Sequence, residues 1–180
     1  MHEIETKILE VNVDDIKNKM AKLQAELVLD TRLTVDWYGT SADIKAQPWF
    51  LRVRTSREDK AEITWKSLPA IVGNTRQSQE INLQVSDIEK AKAFIEAIGL
   101  NHYAHQQNDR DTWQYKDWRF DLDQYPGMPA YLEIEGTSQG HIAEAIALLG
   151  LQNHQSLAEG ERRLIEERYK LDWTNMQFTS

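Results

Sequence analysis

The 180-residue sequence contains no cysteine, only four prolines and eight glycines, and no long apolar run. Without cysteine, neither a disulfide frame nor a thiolate metal site can form. A membrane-crossing helix needs about 20 apolar residues in succession, and none of the runs comes close. The charged, mixed N-terminus is unlike a signal peptide, so the expectation is a soluble, cytoplasmic protein with no membrane partner. Positive charge is also short, with 21 Lys and Arg against 29 Asp and Glu and a formal net charge of −8. Proteins that bind a phosphate backbone normally carry a basic face, so a nucleic-acid polymer is not the expected partner. A small internal pocket of cations remains compatible with this balance. Nothing reads as a linker, and the length suits one core, so residues 1–180 are expected to form a single domain.

What the chain has is alternation. In Glu3-Ile4-Glu5-Thr6-Lys7, charges recur at every second position, and on a strand these share one face. Leu51 and Val53 oppose Arg52 and Arg54, while Ile63 and Trp65 oppose Glu62, Thr64 and Lys66. Ile81, Leu83 and Val85 oppose Glu80, Asn82 and Gln84. Trp118, Phe120 and Leu122 oppose Arg119, Asp121 and Asp123, and Leu132 and Ile134 oppose Glu133 and Glu135. With Thr34 to Tyr38 and Asp111 to Tyr115, this predicts about eight strands, the size of a small closed barrel.

Helical periods fall between the strands. Asp14 to Leu27 places Ile16, Met20, Leu23 and Leu27 on one stripe. Ser86-Asp87-Ile88-Glu89 has the form of a capping box, and Gly99 suits the end of the helix that follows. A third helix is expected from Gln139 or Gly140 to Leu149, with Gly150 after it, and a fourth, highly charged, from Glu159 to Lys170. Residues 171–180 either pack through Trp173 and Phe178 or fray as a mobile tail.

The solvated side of a sheet usually mixes Thr, Ser, Lys and Gln. Here like charges recur in tight pairs: Glu3 and Glu5, Arg52 and Arg54, Asp121 and Asp123, Glu133 and Glu135. Like charges on one face repel unless the opposite sign lies between them. Paired carboxylates suit a hard cation such as Mg²⁺ or Mn²⁺, and arginine forks and lysines suit phosphate oxygens. A barrel lined by both is a site for a metal-bound triphosphate.

Glu3-x-Glu5-x-Lys7 resembles the ExExK signature of the CYTH superfamily, the triphosphate tunnel metalloenzymes, among them class IV adenylyl cyclases, thiamine triphosphatases and inorganic triphosphatases. Later segments resemble the family in order: Leu51-Arg52-Val53-Arg54, Thr64-Trp65-Lys66, Glu80, Phe120-Asp121 and Leu132-Glu133-Ile134-Glu135-Gly136. The resemblance implies an α+β fold built on an eight-stranded antiparallel β-barrel, a tunnel open or nearly so at both ends, with helices packed around it. It implies triphosphate-binding roles for Lys7, Arg52, Arg54, Lys66 and Arg110, and metal-binding roles for Glu3, Glu5, Asp121, Glu133 and Glu135 with Mg²⁺ or Mn²⁺. Glu80 would be a supporting acid, and Tyr38 with Lys66 resembles a pair that activates water in the thiamine triphosphatase branch. Family members are often dimeric, which leaves a homodimer open. Hydrolysis of inorganic tripolyphosphate or a small organic triphosphate is the first reading; a cyclase making cyclic AMP and pyrophosphate, or a binding module without catalysis, are the alternatives.

Three residues depart from the family pattern. Asn108 stands just before Arg110 where a lysine is frequent, and Ser78 and Asn82 flank Glu80 where an arginine and a second acid are common. Arg76 has the parity to compensate, as do Lys116 or Arg119 from neighbouring strands. The five histidines show no joint metal-ligand spacing and read as surface or structural groups, and the tryptophans read as core. The charged run from Glu161 to Arg168 reads as a solvated face, with Arg162 or Arg163 reaching the tunnel mouth as the alternative.

Overall fold

The computed structural model describes residues 2–40, 47–57 and 61–179, with side chains from Ile4 onward. Its strands are β1 (His2–Ile8), β2 (Glu26–Gly39), β3 (Trp49–Thr55), β4 (Ala61–Ser67), β5 (Ala70–Val72), β6 (Thr75–Val85), β7 (Asn101–Tyr115), β8 (Trp118–Gln124), β9 (Tyr131–Gly136), β10 (Ser156–Leu157) and β11 (Asn175–Met176). Helices α1 (Val13–Leu23), α2 (Ile88–Ala97), α3 (Gln139–Leu148) and α4 (Glu161–Arg163) lie among them, and α4 continues as a π-helical turn, Leu164–Arg168. Eight strands close into a ring in the order β1-β9-β8-β7-β2-β3-β4-β6, with β6 pairing back to β1 and every pairing antiparallel. This is the expected α+β fold, with each alternating segment supplying a stave. Among the described residues, no helix is long and apolar enough to cross a membrane.

Alternation decides what lies inside and what lies outside. On β8 and β9, Phe120, Leu122, Leu132 and Ile134 turn outward and are fully buried beneath Ile16 and Met20 of α1 and Ile142 and Ala145 of α3. Burial of each large side chain in this layer contributes roughly 1.5–3 kcal/mol. A smaller outer layer joins Tyr38 and Val53 to Ile95 of α2.

Several boundaries differ from the sequence expectation: β2 already begins at Glu26, the last helix is confined to residues 161–168, and three others have a local cause. Helix α1 stops at Leu23 because Gln24 adopts a left-handed conformation, φ 56°, so Leu27 belongs to β2 and is half exposed. The N-cap of α2 is Asp87, whose Oδ1 accepts from Lys90 N at 3.0 Å, one residue later than a capping box on Ser86 requires. Strand β7 begins at Asn101 rather than Asp111, because its polar first half pairs with β2 over its whole length. Gly99 and Gly150 take positive φ, 93° and 64°, just past the ends of α2 and α3, as a helix stop requires.

The ring is filled at one end. Inward-facing Leu9, Leu33, Val35, Trp37, Tyr125 and Tyr131 pack with Leu164 and Ile165 from the π-helical turn and with Trp173 and Met176 beyond it. Residues 171–179 therefore take part in the core, and β11 adds a short parallel strand to β7. The charged run thus supplies an apolar side at Leu164 and Ile165, which packs on these inward-facing residues and narrows that end of the ring.

Candidate functional site

Beyond this apolar end the ring encloses a cavity of about 230 Å³ whose lining is almost wholly charged. Acids gather on one wall: Glu5 from β1, Asp121 from β8, and Glu133 and Glu135 from β9. Register places Asp121 beside Glu133, and Glu5 beside Glu135. Cations Arg52 and Arg54 from β3 and Lys66 from β4 enter from the opposite wall, with Arg76 from β6 and Arg110 from β7 between. The i, i+2 pairs of the sequence thus become two facing charged walls.

Glu5 is the most heavily paired acid. Arg76 grips its Oε1 through Nε and Nη2, Lys7 Nζ lies 3.3 Å from the same oxygen, and Lys66 Nζ lies 3.3 Å from Oε2. Burial works to raise its pKa, but Arg76, Lys7 and Lys66 outweigh burial and hold it well below the usual carboxylate range. Glu133 behaves oppositely. Burial and the adjacent Glu5 carboxylate push it up to about 7, although Lys7 Nζ is 2.6 Å from its Oε1. Two carboxylates, Glu5 and Glu133, are thus crowded together in a buried place, a condition that suits a bound cation.

Arg110 anchors the next layer. Its Nε and Nη2 bind Asp123 at 2.7 and 2.6 Å, and Nη1 binds Asp121 at 2.9 Å. Thr112 Oγ1 donates to Asp121 at 2.6 Å, and Arg119 Nε lies 3.2 Å from it. Asn108, where the family resemblance places a lysine, donates to Asp123 at 2.6 Å. Asp123 has no exposed surface and was outside the expected site set; its i, i+2 spacing from Asp121 was the signal available.

The basic wall carries one unsatisfied donor. Arg54 pairs with Glu62 at 2.8 Å, yet burial and the neighbouring guanidiniums of Arg52 and Arg110 lower its pKa to about 10. Arg52 Nε is buried with no hydrogen-bond partner among the described residues, and its guanidinium lies 5.7 Å from the Trp37 ring. Lys66 Nζ also reaches Glu80 Oε2 at 3.0 Å, and Asn82 donates to Glu80 Oε1 at 2.8 Å, so Glu80 holds Lys66 in place.

The structure brings Glu5, Lys7, Arg52, Arg54, Lys66, Arg76, Glu80, Arg110, Asp121, Glu133 and Glu135 to one cavity. Glu3 lies on β1 opposite Ser78, but its side chain is outside the described residues. Tyr38 is a correction. It is 1% exposed in the outer layer with Val53 and Ile95, on the far side of the wall from Lys66, and burial together with Asp36 raises its hydroxyl pKa to about 12. Its neighbour Trp37 faces inward instead. Of the compensating cations, Arg119 lines the cavity, whereas Lys116 sits over the rings of Tyr115 and Trp118 at the β7–β8 turn.

A second recess adjoins the cavity and shares Arg52, Lys66 and Arg76 with it. Trp37, Phe50 and Trp173 form its aromatic walls, and Arg162 stacks over Trp173 at 5.1 Å. Arg162 therefore reaches this recess, while Arg163 stays outside, paired with Glu167 at 3.2 Å.

A family model described as the CYTH domain matches residues 1–164. No curated protein gives a significant match. Among solved structures, the PH1012 protein of Pyrococcus horikoshii OT3 is 23% identical, with TM-score 0.70 over 85% of this chain and 94% of that one. A putative adenylate cyclase from Vibrio parahaemolyticus is 15% identical, with TM-score 0.68 over 100% of this chain and 95% of its own. The putative adenylyl cyclase HpAC1 from Hippeastrum, described as having a dominant triphosphatase activity, is 14% identical, with TM-score 0.64 over 94% of this chain and 97% of its own. At these identities the structures establish a shared fold, and the family match carries the relationship.

Proposed function

Because the chain belongs to the CYTH domain family, we propose that its cavity binds a small-molecule triphosphate and catalyses its metal-dependent hydrolysis. The observation that carries this reading is the buried, unpartnered Nε of Arg52 beside Arg54, facing an acid wall in which Glu133 is held up to about 7. A buried arginine donor with room for an acceptor suits a polyanion, and crowded carboxylates suit a cation. A metal-bound triphosphate answers both. The cavity, rather than an exposed face, carries the cations, which favours a small molecule over a nucleic-acid polymer.

The donor set fits Mg²⁺ or Mn²⁺, because every candidate ligand on the acid wall is a carboxylate oxygen. Glu133 and Glu135 are the residues that would hold the ion. Both oxygens of Asp121 already accept from Arg110, Thr112 and Arg119, so Asp121 acts by positioning those groups. When bound, the ion would neutralise phosphate charge and order a water for attack.

The side chains divide the remaining work. Arg52, Arg54 and Lys66 bind phosphate oxygens and stabilise the charge that builds up as water attacks the terminal phosphorus. The bond to the bridging oxygen then breaks, giving orthophosphate and the shortened chain. Lys7 and Arg76 keep Glu5 ionised, and Glu80 fixes Lys66. Catalysis of this kind rests on positioning and electrostatics rather than on a covalent intermediate.

The dominant triphosphatase activity of HpAC1 is in keeping with the first reading. One observation favours a second: the aromatic recess beside Arg52 offers a planar ring a place next to the triphosphate, as a nucleotide cyclase needs. Incubating the protein with tripolyphosphate, ATP and thiamine triphosphate in Mg²⁺ or Mn²⁺ separates the readings. Orthophosphate release supports hydrolysis, cyclic AMP with pyrophosphate supports the cyclase, and tight binding without turnover refutes both.

A further inference from the structure

A second charged cluster lies on the outer face of the ring. Asp36 turns outward from β2, and its Oδ1 lies 3.0 Å from His102 Nε2 and 2.7 Å from His105 Nδ1. Its other oxygen receives Lys92 Nζ of α2 at 2.6 Å. One ligand atom from each of Asp36, His102 and His105 lies within 4.8 Å of the other two.

Histidines three apart on a regular strand point to opposite faces. The register between β2 and β7 slips here: Trp37 pairs with Ala104, but Tyr38 pairs with His102, leaving Tyr103 as the extra residue of a bulge. Tyr103 and Ala104 both join the inner apolar cluster, and both imidazoles are sent outward to the same carboxylate. The Tyr38 ring meets His102 edge-on at 5.5 Å and supports it from behind.

We propose that Asp36, His102 and His105 form a binding site for a transition-metal ion of the zinc class, separate from the triphosphate cavity. Two imidazoles and a carboxylate with one open position suit Zn²⁺ and its neighbours and do not suit Mg²⁺. In a tetrahedral site with bonds of about 2.0–2.2 Å, adjacent ligand atoms stand about 3.3 Å apart. The observed 2.7 and 3.0 Å need to widen by only a few tenths of an ångström. The Asp36 side chain is 7% exposed, whereas those of His102 and His105 are 40% and 34% exposed, so an ion has a path in and a water can complete its shell. Lys92 on the second oxygen aims Oδ1 at the two rings. Its charge also opposes ions held by electrostatics alone, which leaves nitrogen ligation to hold the metal.

The test is Zn²⁺ titration of the metal-stripped full chain in excess Mg²⁺, in competition with a chromogenic chelator. One equivalent should bind, and His102→Ala with His105→Ala should weaken that binding by at least about tenfold. Unchanged affinity in the double variant, or no Zn²⁺ uptake by the unmodified chain, overturns the site. The unmodified chain gives an independent reading through the ¹⁵N resonances of its five imidazoles. One equivalent of Zn²⁺ should move those of His102 and His105; movement confined to the other histidines, or none, also overturns it.

Discussion

Arg110 grips Asp123 through two parallel hydrogen bonds, Nε to Oδ1 at 2.7 Å and Nη2 to Oδ2 at 2.6 Å, at a carboxylate with no exposed surface. The same guanidinium reaches Asp121, so one arginine organises two acids of β8. Removing Asp123 takes two of these three hydrogen bonds from Arg110 and leaves its buried charge only partly compensated. Asp123→Ala is therefore expected to lower unfolding stability by about 3–5 kcal/mol. Urea unfolding measures it, and an unchanged midpoint would mean that Arg110 finds an equal partner elsewhere.

Arg54 has the opposite position, crowded by Arg52 and Arg110 and lowered to about 10. Arg54→Ala relieves that repulsion, and Glu62 keeps Thr64 and Gln84 as hydrogen-bond donors, so the fold should persist. Triphosphate affinity should fall roughly tenfold, or about 1.4 kcal/mol. Arg52→Ala should do the same, since its Nε has no protein partner to lose. Calorimetric titration with tripolyphosphate reads both; unchanged affinity in both variants would show that the phosphates bind elsewhere.

Most of the ring was legible because like charges at i, i+2 reveal both the strand and its inward side, as at Glu133 and Glu135. Features that break the period were not. The extra residue of β7, Tyr103, puts His102 and His105 on one face despite their spacing of three, whereas Tyr38 keeps the alternation of β2 and takes the outer side, opposite to Trp37. Gln24 ends α1 in a conformation usually left to glycine or asparagine, so the apolar stripe reads on to Leu27 with nothing in the sequence to stop it. The filled end of the ring depends on contacts between Leu9, Trp37 and Trp173, which lie too far apart in sequence for any local pattern to join.

Tyr38→Phe tests that correction. The hydroxyl belongs to the outer layer, across the wall from Lys66, so metal-dependent turnover of tripolyphosphate should stay within about twofold of wild type, less than about 0.5 kcal/mol in barrier. Lys66→Ala removes a cation that lines the cavity and should depress turnover at least about tenfold, about 1.4 kcal/mol. A large loss in Tyr38→Phe with intact fold would return the tyrosine to the reaction.

Glu133 links the proposed metal site to stability. Burial and the Glu5 carboxylate raise its folded pKa from 4.5 to about 7, so the native state holds a proton that the unfolded chain releases earlier. Between those values the native state binds more protons than the unfolded one, and stability falls as pH rises. The loss begins near pH 4.5 and is complete above pH 7, and at about 1.4 kcal/mol for each pH unit between them it is on the order of 3–4 kcal/mol. Glu5 is lowered, so its contribution is lost only at more acidic pH and leaves this window clear. Glu133→Gln carries no charge to bury. In metal-free buffer its stability should match wild type at about pH 5 and exceed it at about pH 8, and with metal added its turnover should be lost. Divalent metal should restore the stability of wild type at the higher pH and leave the variant unmoved, because only the ionised carboxylate gains from the ion. Equal pH profiles for the two proteins in urea unfolding would show that the Glu133 proton is not held by the cavity.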